Sequence, residues 1–131
     1  VGEVAISDHR GSQPSMDALA KVVSEARVGG MLTKKAGVTH FHLGDGKNGL
    51  QPLFDLLDHT DLTIASMVPT HVERNQRLLE HGKEWVRRGG HVNFSSTPDN
   101  QVPAILEYQK EGLDLANVSI SSDGYGSLNV F

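Results

Sequence analysis

The 131-residue sequence contains no cysteine, and this absence excludes a whole class of chemistry. Disulfide bonds cannot form, and a metal ion would have to be held by histidine and carboxylate side chains instead of thiolates. Such ligands suit zinc, and they also suit manganese, cobalt or iron. Any metal site in this chain is therefore expected to consist of nitrogen and oxygen ligands.

Long apolar runs and clusters of basic residues are also missing from the sequence. No stretch of about 18 apolar residues that could span a bilayer is present. The net charge is −4, which gives no reason to expect a nucleic acid or an anionic membrane as a partner. With 37% hydrophobic and 21% charged residues, the composition is that of a globular protein, and we expect a cytoplasmic one.

Short apolar segments typical of strands alternate along the chain with segments of helical periodicity. The first helix is predicted to begin after Ser15 and to weaken or end at Gly29-Gly30, and the third strand is predicted to stop at Pro69. Strict alternation favours right-handed βαβ units, and therefore an α/β fold with about five parallel strands and four helices. The predicted strands cover residues 1–7, 38–43, 62–68, 91–96 and 117–121.

The predicted parallel strands suggest part of a (β/α)8 barrel. A complete barrel of this kind needs roughly 200 residues or more, so we expect residues 1–131 to be the C-terminal part of a barrel domain whose N-terminal part lies outside this chain. Barrel enzymes assemble their active sites at the rim formed by the carboxyl ends of the strands. Four predicted strands carry a potential metal ligand at or near this rim, namely Glu3, His42, His71 and Asp123. This pattern indicates part of a metallohydrolase.

The histidines near the predicted rim each have a structural alternative. His40 and His42 lie on one face of a strand, because side chains alternate, and such a pair can chelate one metal or simply pack. A glycine-containing loop, residues 44–46, would open the strand end at His42 to a ligand. His40 lies deeper, and we expect it to be an interior histidine. His71 follows Pro69 where a strand leaves the core, so it could be a ligand or a surface residue.

The charged residues near the rim also have two interpretations each. Arg74 could bind a substrate carboxylate with both prongs of its guanidinium, or it could be a solvated charge at a helix start. Asp123 could bind a metal and transfer a proton from water to the leaving group, or it could only cap a helix. The segment Asp8-His9-Arg10 could belong to the functional rim or form a salt-bridged turn. Glu3, within an apolar strand, is costly unless it is paired or metal-bound, although that cost disappears at an edge.

Five sequence blocks carry a more specific signal when they are taken together. They are VGEVAISDHR at residues 1–10, EARVGG at 25–30, HLGD at 42–45, PTHVERN at 69–75 and SSDG at 121–124. This combination resembles the isoaspartyl dipeptidase, or β-aspartyl peptidase, family of the amidohydrolase superfamily, over essentially the whole chain. The resemblance implies metal-dependent hydrolysis of the β-aspartyl amide bond of dipeptides, in which a hydroxide that bridges two zinc ions attacks the carbonyl.

The resemblance also implies a set of metal ligands. His42 and His71 match two histidines that bind the second metal of a binuclear zinc centre, and Asp123 matches the aspartate that binds the first metal and transfers the proton. Where many family members carry a carboxylated lysine that bridges the metals, this chain has Glu3, which we interpret as a substituted bridge. A further pair of metal-binding histidines, with a pocket glutamate and tyrosine, would precede Val1, so we expect the isolated chain to be inactive.

Three further positions match substrate-binding residues of the family. Arg10 and Arg74 match arginines that bind the substrate's carboxylate, and Ser127 matches a serine of the substrate pocket. The resemblance therefore implies a small dipeptide as the substrate, and we expect a homo-oligomer for the full-length protein. Two alternatives stay open at this point: an amidohydrolase that acts on cyclic amides or N-acyl groups, and a catalytically inert barrel fragment.

Overall fold

The computed structural model describes residues 1–124 and shows an α/β fold of five strands and four helices. The strands are β1 (Val4–Ile6), β2 (Thr39–Leu43), β3 (Met67–Thr70), β4 (Val92–Ser95) and β5 (Val118–Ser121). The helices between them are α1 (Met16–Thr33), α2 (Gln51–His59), α3 (Gln76–Arg87) and α4 (Pro98–Lys110). None of the helices in this range is both long and apolar enough to cross a membrane.

The five strands form one parallel sheet in the order β1-β2-β3-β4-β5, so each strand pairs with its neighbour in sequence. The predicted α/β fold with five parallel strands and four helices is confirmed. Because all strands run in the same direction, their carboxyl ends meet at one edge of the sheet. This edge is called the rim below, and it is where the predicted ligands were expected to meet.

The two faces of the sheet differ in polarity. The register places Ala5 opposite His42, His42 opposite Thr70, and Thr70 opposite Asn93, so these side chains share one face. The same face continues through Ser119 and Ser121 of β5. Most of the alternate positions of β1 to β4 are apolar and buried. They join side chains of the helices in a single hydrophobic core that includes Ile6, Leu19, Phe41, Leu43, Leu53, Met67, Trp85, Val92 and Phe94.

Hydrogen bonds between side chains link the strands across the polar face. Thr70 Oγ1 donates to Asn93 Oδ1 at 2.6 Å, and Asn93 Nδ2 donates to Ser119 Oγ at 3.0 Å. Ser121 Oγ also donates to Asn93 Oδ1, at 3.0 Å. Because buried polar groups are costly unless they find partners, this network lets β3, β4 and β5 carry polar side chains close to the rim.

Helix α1 begins as predicted and ends later than predicted. Ser15 Oγ accepts the backbone N–H of Ala18 at 3.3 Å, which confirms Ser15 as the N-cap. The predicted end at Gly29-Gly30 is wrong, because the helix continues to Thr33. Gly30 serves a close contact instead: a Cβ atom there would lie 2.4 Å from the Cα atom of Gly37. A tertiary contact, and not the helix end, therefore accounts for this glycine.

Strand β3 also differs from its predicted bounds. The predicted strand over residues 62–68 was expected to stop at Pro69, whereas β3 includes Pro69 and is preceded by a short 3-10 turn over Ile64–Ser66. Pro69 pairs with Phe41 of β2, but the pairing with β4 is found only at Thr70, one residue beyond the proline. A proline removes one donor, and the strand tolerates that loss where the ladder toward β4 has not yet begun.

Helices α3 and α4 are joined by a buried lysine. Lys83 is 1% exposed, and its Nζ donates to Glu80 at 2.8 Å, to Glu111 at 2.6 Å and to Glu107. Burial opposes the charge of Lys83, but its hydrogen bonds to three carboxylates outweigh this effect and raise the pKa of the lysine above its usual range. The ammonium group of Lys83 thus partly balances the negative charge of the three glutamates, so their proximity is explained without a metal ion.

Candidate active site

Three of the four predicted metal ligands converge at the rim beside β1, β2 and β3. Glu3 lies one residue before β1, His42 is the fourth residue of β2, and His71 directly follows β3. One potential ligand atom from each of these side chains lies within 4.8 Å of the other two. The imidazole rings of His42 and His71 meet edge to face, with centroids 4.5 Å apart and planes at 70°.

The backbone at His71 has a conformation that non-glycine residues seldom adopt. Its φ angle is +66°, in the left-handed region, which costs free energy unless the surroundings impose it. Here the His71 backbone N–H donates to the carbonyl of Asn93 at 3.1 Å, which ties the end of β3 to β4. Strained residues of this kind are concentrated at functional sites. The left-handed backbone ends the strand at His71 and directs its side chain toward His42.

The hydrogen bonds of His71 leave one ring nitrogen available. Nδ1 donates to the carbonyl of Ser95 at 2.8 Å, so the proton of the neutral ring is on Nδ1 and Nε2 carries a lone pair. Nε2 is buried and has no hydrogen-bond partner among residues 1–124. Burial lowers the pKa of His71, and the bond to Ser95 only partly opposes this effect. A neutral imidazole with a buried, unpartnered nitrogen has the form that a metal ligand needs.

His42 lies between two carboxylates. Its Nδ1 donates to Glu3 Oε2 at 3.2 Å, and its Nε2 is 3.5 Å from Asp8 Oδ2. The side chain of His42 is 19% exposed and that of Glu3 is 42% exposed, so a small ion could reach them from solvent. Glu3 is therefore paired, and its position just before β1, instead of inside a strand, removes much of the predicted burial cost.

The residues at this rim fit a divalent metal ion. Two imidazoles and a carboxylate are the nitrogen and oxygen donors that zinc and related metals accept in the absence of thiolates. The unpartnered Nε2 of His71 points to the same conclusion, because a buried polar atom without a partner is rare. Glu3, His42 and His71 would together hold such an ion.

Asp123 lies two residues beyond β5 and shares a cleft with His71. The cleft measures about 230 Å³, and its wall is formed by His71, Glu73, Arg74, Ser95, Ser96, Thr97, Asn100 and Asp123. The φ angle of Asp123 is +53°, so its backbone, like that of His71, lies in the left-handed region. Asp123 is not part of the group formed by Glu3, His42 and His71, so its predicted roles as metal ligand and proton carrier stay predictions.

Arg74 lies on the wall of this cleft, three residues after His71. Its backbone N–H donates to the carbonyl of His71 at 3.1 Å, which places both residues in one tight turn. Among residues 1–124, no carboxylate lies within 4.0 Å of its guanidinium, in contrast to Arg87 and Arg88 at the end of α3. The cleft thus combines a candidate metal ligand with a cation that has no partner within the described chain, an arrangement that suits an anionic small molecule.

Arg10 forms a two-pronged ion pair with Asp8. Its Nε donates to Asp8 Oδ1 at 3.1 Å and its Nη2 to Asp8 Oδ2 at 2.8 Å, and its backbone N–H adds a bond of 2.8 Å to Oδ1. These hydrogen bonds hold the pKa of the buried Asp8 carboxyl well below its usual range. The salt-bridged turn is therefore present, and it lies at the rim, because Asp8 and Arg10 line a shallow depression with Glu3 and His42.

A glycine in β2's exit loop makes the position of Asp8 feasible. A Cβ atom on Gly44 would lie 2.3 Å from the Cβ of Asp8, far inside contact distance. The Gly44 backbone N–H also donates to the carbonyl of Ile6 at 3.2 Å, which joins the ends of β1 and β2. Only glycine allows the two loops to pass this closely and bring Asp8 beside His42.

Two predicted residues, His40 and Ser127, lie outside the features described above. His40 is outside the ligand group, and burial lowers its pKa, which agrees with its expected role as an interior histidine. Ser127, the predicted pocket serine, lies outside the described residues. Glu73 was not among the residues predicted from the sequence to be functional, although it lies between His71 and Arg74 and lines the cleft. Its proximity to both residues in sequence was the available signal.

The chain is similar in sequence and fold to solved structures of beta-aspartyl dipeptidases. No family model matches the sequence. One of these structures is a crystal structure of beta-aspartyl dipeptidase from the thermophilic keratin degrader Fervidobacterium islandicum AW-1, in complex with the β-Asp-Leu dipeptide. It is 45% identical in sequence, and its TM-score is 0.92. The match covers 100% of this chain and 36% of that chain. Another structure of beta-aspartyl dipeptidase from the same organism is 44% identical with a TM-score of 0.89, over 95% of this chain and 35% of that one. The chain thus spans about a third of the length of these proteins.

Proposed function

From the confirmed resemblance of this chain to beta-aspartyl dipeptidases, we propose that it forms part of a metal-dependent dipeptidase that hydrolyses the β-aspartyl amide bond. The observation that carries the proposal is the convergence of Glu3, His42 and His71 within 4.8 Å at the rim of the sheet. The sequence and fold similarity supports the reaction class. The ligand group supports the place in the molecule where that reaction would occur.

The proposed metal is zinc, with two ions in the complete active site. Glu3, His42 and His71 would provide ligands from this chain, and Asp123 would add a carboxylate from the end of β5. A divalent cation bound there supplies Lewis acidity to the amide carbonyl and makes water acidic enough to act as a nucleophile near neutral pH. The Nδ1–H bond to Ser95 keeps His71 oriented for ligation, as the second bond of a ligating histidine usually does.

Residues at the rim and around the cleft would transfer the proton and bind the substrate. Asp123 would accept a proton from the attacking water and donate it to the leaving amine, which a carboxylate can do when it lies beside the reacting atoms. Arg74 would bind a carboxylate of the dipeptide, and its position next to His71 would hold the scissile amide near the metal ligands. Arg10, already oriented by Asp8, retains the Nη1 end of its guanidinium for a second contact with substrate.

Arg74→Lys tests the proposed role of the guanidinium. Lysine keeps the charge but loses the two-pronged geometry, so we expect kcat/KM for β-Asp-Leu to fall. The fall should correspond to a loss of about 1 to 3 kcal/mol of transition-state stabilisation, the range for charge-assisted hydrogen bonds. Steady-state kinetics of the complete protein would measure this change. Arg77→Lys is the matched control, because Arg77 lies one turn further along and bonds only the carbonyl of Lys47 among residues 1–124. An unchanged preference for free over amidated dipeptides in Arg74→Lys would show that Arg74 is only a surface charge.

A panel of three substrates tests the proposed function against its alternatives. The complete protein, loaded with zinc, would be given β-Asp-Leu, a hydantoin and an N-acetyl amino acid in parallel. We expect hydrolysis of β-Asp-Leu alone, because it offers two free carboxylates to the two arginines at the rim, whereas the N-acetyl amino acid offers one and the hydantoin none. Cleavage of the hydantoin or the N-acetyl compound in preference would instead indicate a different amidohydrolase, and inactivity toward all three would indicate an inert fold.

A further inference from the structure

The backbone of Ser95 is bound from both sides by the loop that follows β3. Glu73 Oε1 accepts the Ser95 N–H at 2.9 Å, and His71 Nδ1 donates to the Ser95 carbonyl at 2.8 Å. Ser95 is the last residue of β4. Two side chains that are two residues apart in sequence therefore hold the N–H and the carbonyl of a single residue on the neighbouring strand.

These two bonds take the place of a strand ladder that has ended. The pairing of β3 with β4 is found at Thr70 and Asn93 and does not extend to Ser95. Beyond that point, the His71 N–H still reaches the Asn93 carbonyl, and Glu73 then supplies an acceptor for the next free donor of β4. A carboxylate makes a stronger acceptor than a neutral carbonyl, so Glu73 is well suited to fix Ser95 in place.

The second carboxylate oxygen of Glu73 argues against a purely stabilising role. Oε2 is buried and has no hydrogen-bond partner among residues 1–124. A buried carboxylate oxygen without a hydrogen-bond donor costs free energy. A glutamate at position 73 is therefore not explained by its contribution to stability alone. What Glu73 does provide is a fixed position for the Ser95 carbonyl, on which the orientation of His71 depends.

We propose that Glu73 is a positioning residue: by binding the Ser95 N–H, it holds the Ser95 carbonyl against His71 Nδ1 and so presents His71 Nε2 to the ligand group at the rim. The inference rests on the proposed function only in taking Nε2 as a metal ligand. The positioning itself belongs to the metal-free protein, where the Ser95 bond keeps the proton of the neutral imidazole on Nδ1.

Two substitutions of Glu73 in the complete protein separate positioning from charge. Glu73→Gln keeps an oxygen that can accept the Ser95 N–H, whereas Glu73→Ala removes the acceptor. The tautomer of His71 would be read from long-range ¹H–¹⁵N spectra of the metal-free imidazole, and the zinc Kd from competition with a chelating indicator. Glu25→Ala, which removes an exposed carboxylate on α1, is the control.

We expect Glu73→Gln and Glu25→Ala to keep the Nδ1–H form of His71 and the wild-type Kd. Glu73→Ala should show a mixture of tautomers and a zinc Kd raised about tenfold, the lower end of the effect of losing a supporting hydrogen bond. If Glu73→Ala does not fold, Glu73→Asp gives the same comparison, because its carboxylate is one methylene too short to reach Ser95.

Two results would overturn the inference. An unchanged tautomer and Kd in Glu73→Ala would show that Ser95 and His71 are held without Glu73. Equal damage from Glu73→Gln and Glu73→Ala would show that the charge of Glu73 matters and the bond to Ser95 does not. If the wild-type protein bound no zinc, the proposed function would fail, but the tautomer measurement would still decide whether Glu73 positions His71.

Discussion

Glu3→Gln in the complete protein is expected to lower both the zinc content and the turnover of β-Asp-Leu sharply. Glutamine nearly preserves the shape of Glu3 but removes its negative charge, and Glu3 supplies the one carboxylate in the group formed with His42 and His71 among residues 1–124. Loss of a direct ligand should exceed the 10- to 100-fold effect typical of a supporting residue, so we expect kcat/KM to fall by more than about 100-fold. Metal analysis after dialysis and steady-state kinetics would measure the two effects.

Two further variants sharpen the test of Glu3. Glu25→Gln, an exposed substitution on α1, should leave zinc content and turnover unchanged. Glu3→Lys should recover some activity when bicarbonate is added, if the lysine becomes carboxylated as in the lysine-bearing relatives that the sequence resembles. Full activity with unchanged zinc in Glu3→Gln would show that Glu3 is not a ligand. Lost turnover with full zinc content would mean that Glu3 only orients His42 through its 3.2 Å contact.

Asp123→Asn is expected to lower kcat for β-Asp-Leu by about 10²- to 10⁴-fold in excess zinc, the range for a lost general acid–base. Asparagine keeps the size of the side chain but cannot carry the proton. The substitution should preserve the local fold, because asparagine tolerates the left-handed backbone that Asp123 adopts at φ +53°. Stopped assays of leucine release from β-Asp-Leu would provide the rates.

The control for Asp123 comes from α4. Asp99 is an acidic residue in the first turn of that helix, and Asp99→Asn should leave kcat unchanged. If Asp123→Asn kept the wild-type kcat with zinc bound, Asp123 would be only a structural residue at the end of β5. A retained kcat with a reduced zinc affinity would assign Asp123 to metal binding and remove it from proton transfer.

The elements that sequence patterns predicted best are those with local signals. The apolar stripe and Gly89-Gly90 predict a helix over about residues 76–88, and α3 is observed over Gln76–Arg87, with Asn75 as its N-cap. The errors arose where a distant partner decides the outcome. Gly30 lies inside α1, where its close contact with Gly37 requires a glycine. Pro69 is tolerated inside β3 because the pairing with β4 begins one residue later, at Thr70.

The same distinction applies to the candidate site. Strand alternation and the parallel sheet were enough to predict that His42 and His71 would meet at one rim. The partner of Glu73 could not be predicted, because it is a backbone N–H 22 residues further along the chain. The pairing of Asp8 with Arg10 was one of two interpretations, and the close approach of Gly44 that brings Asp8 to the rim is visible only in three dimensions.

Hydrolysis of β-Asp-Leu and of its isomer α-Asp-Leu by the complete protein, before and after metal removal, tests the central claim most directly. We expect the β isomer to be cleaved and the α isomer to be spared, with activity abolished by a chelator and restored by added zinc. Activity that survives complete metal removal would contradict the role of Glu3, His42 and His71. Failure of the zinc-loaded protein to cleave β-Asp-Leu would contradict the proposed function itself.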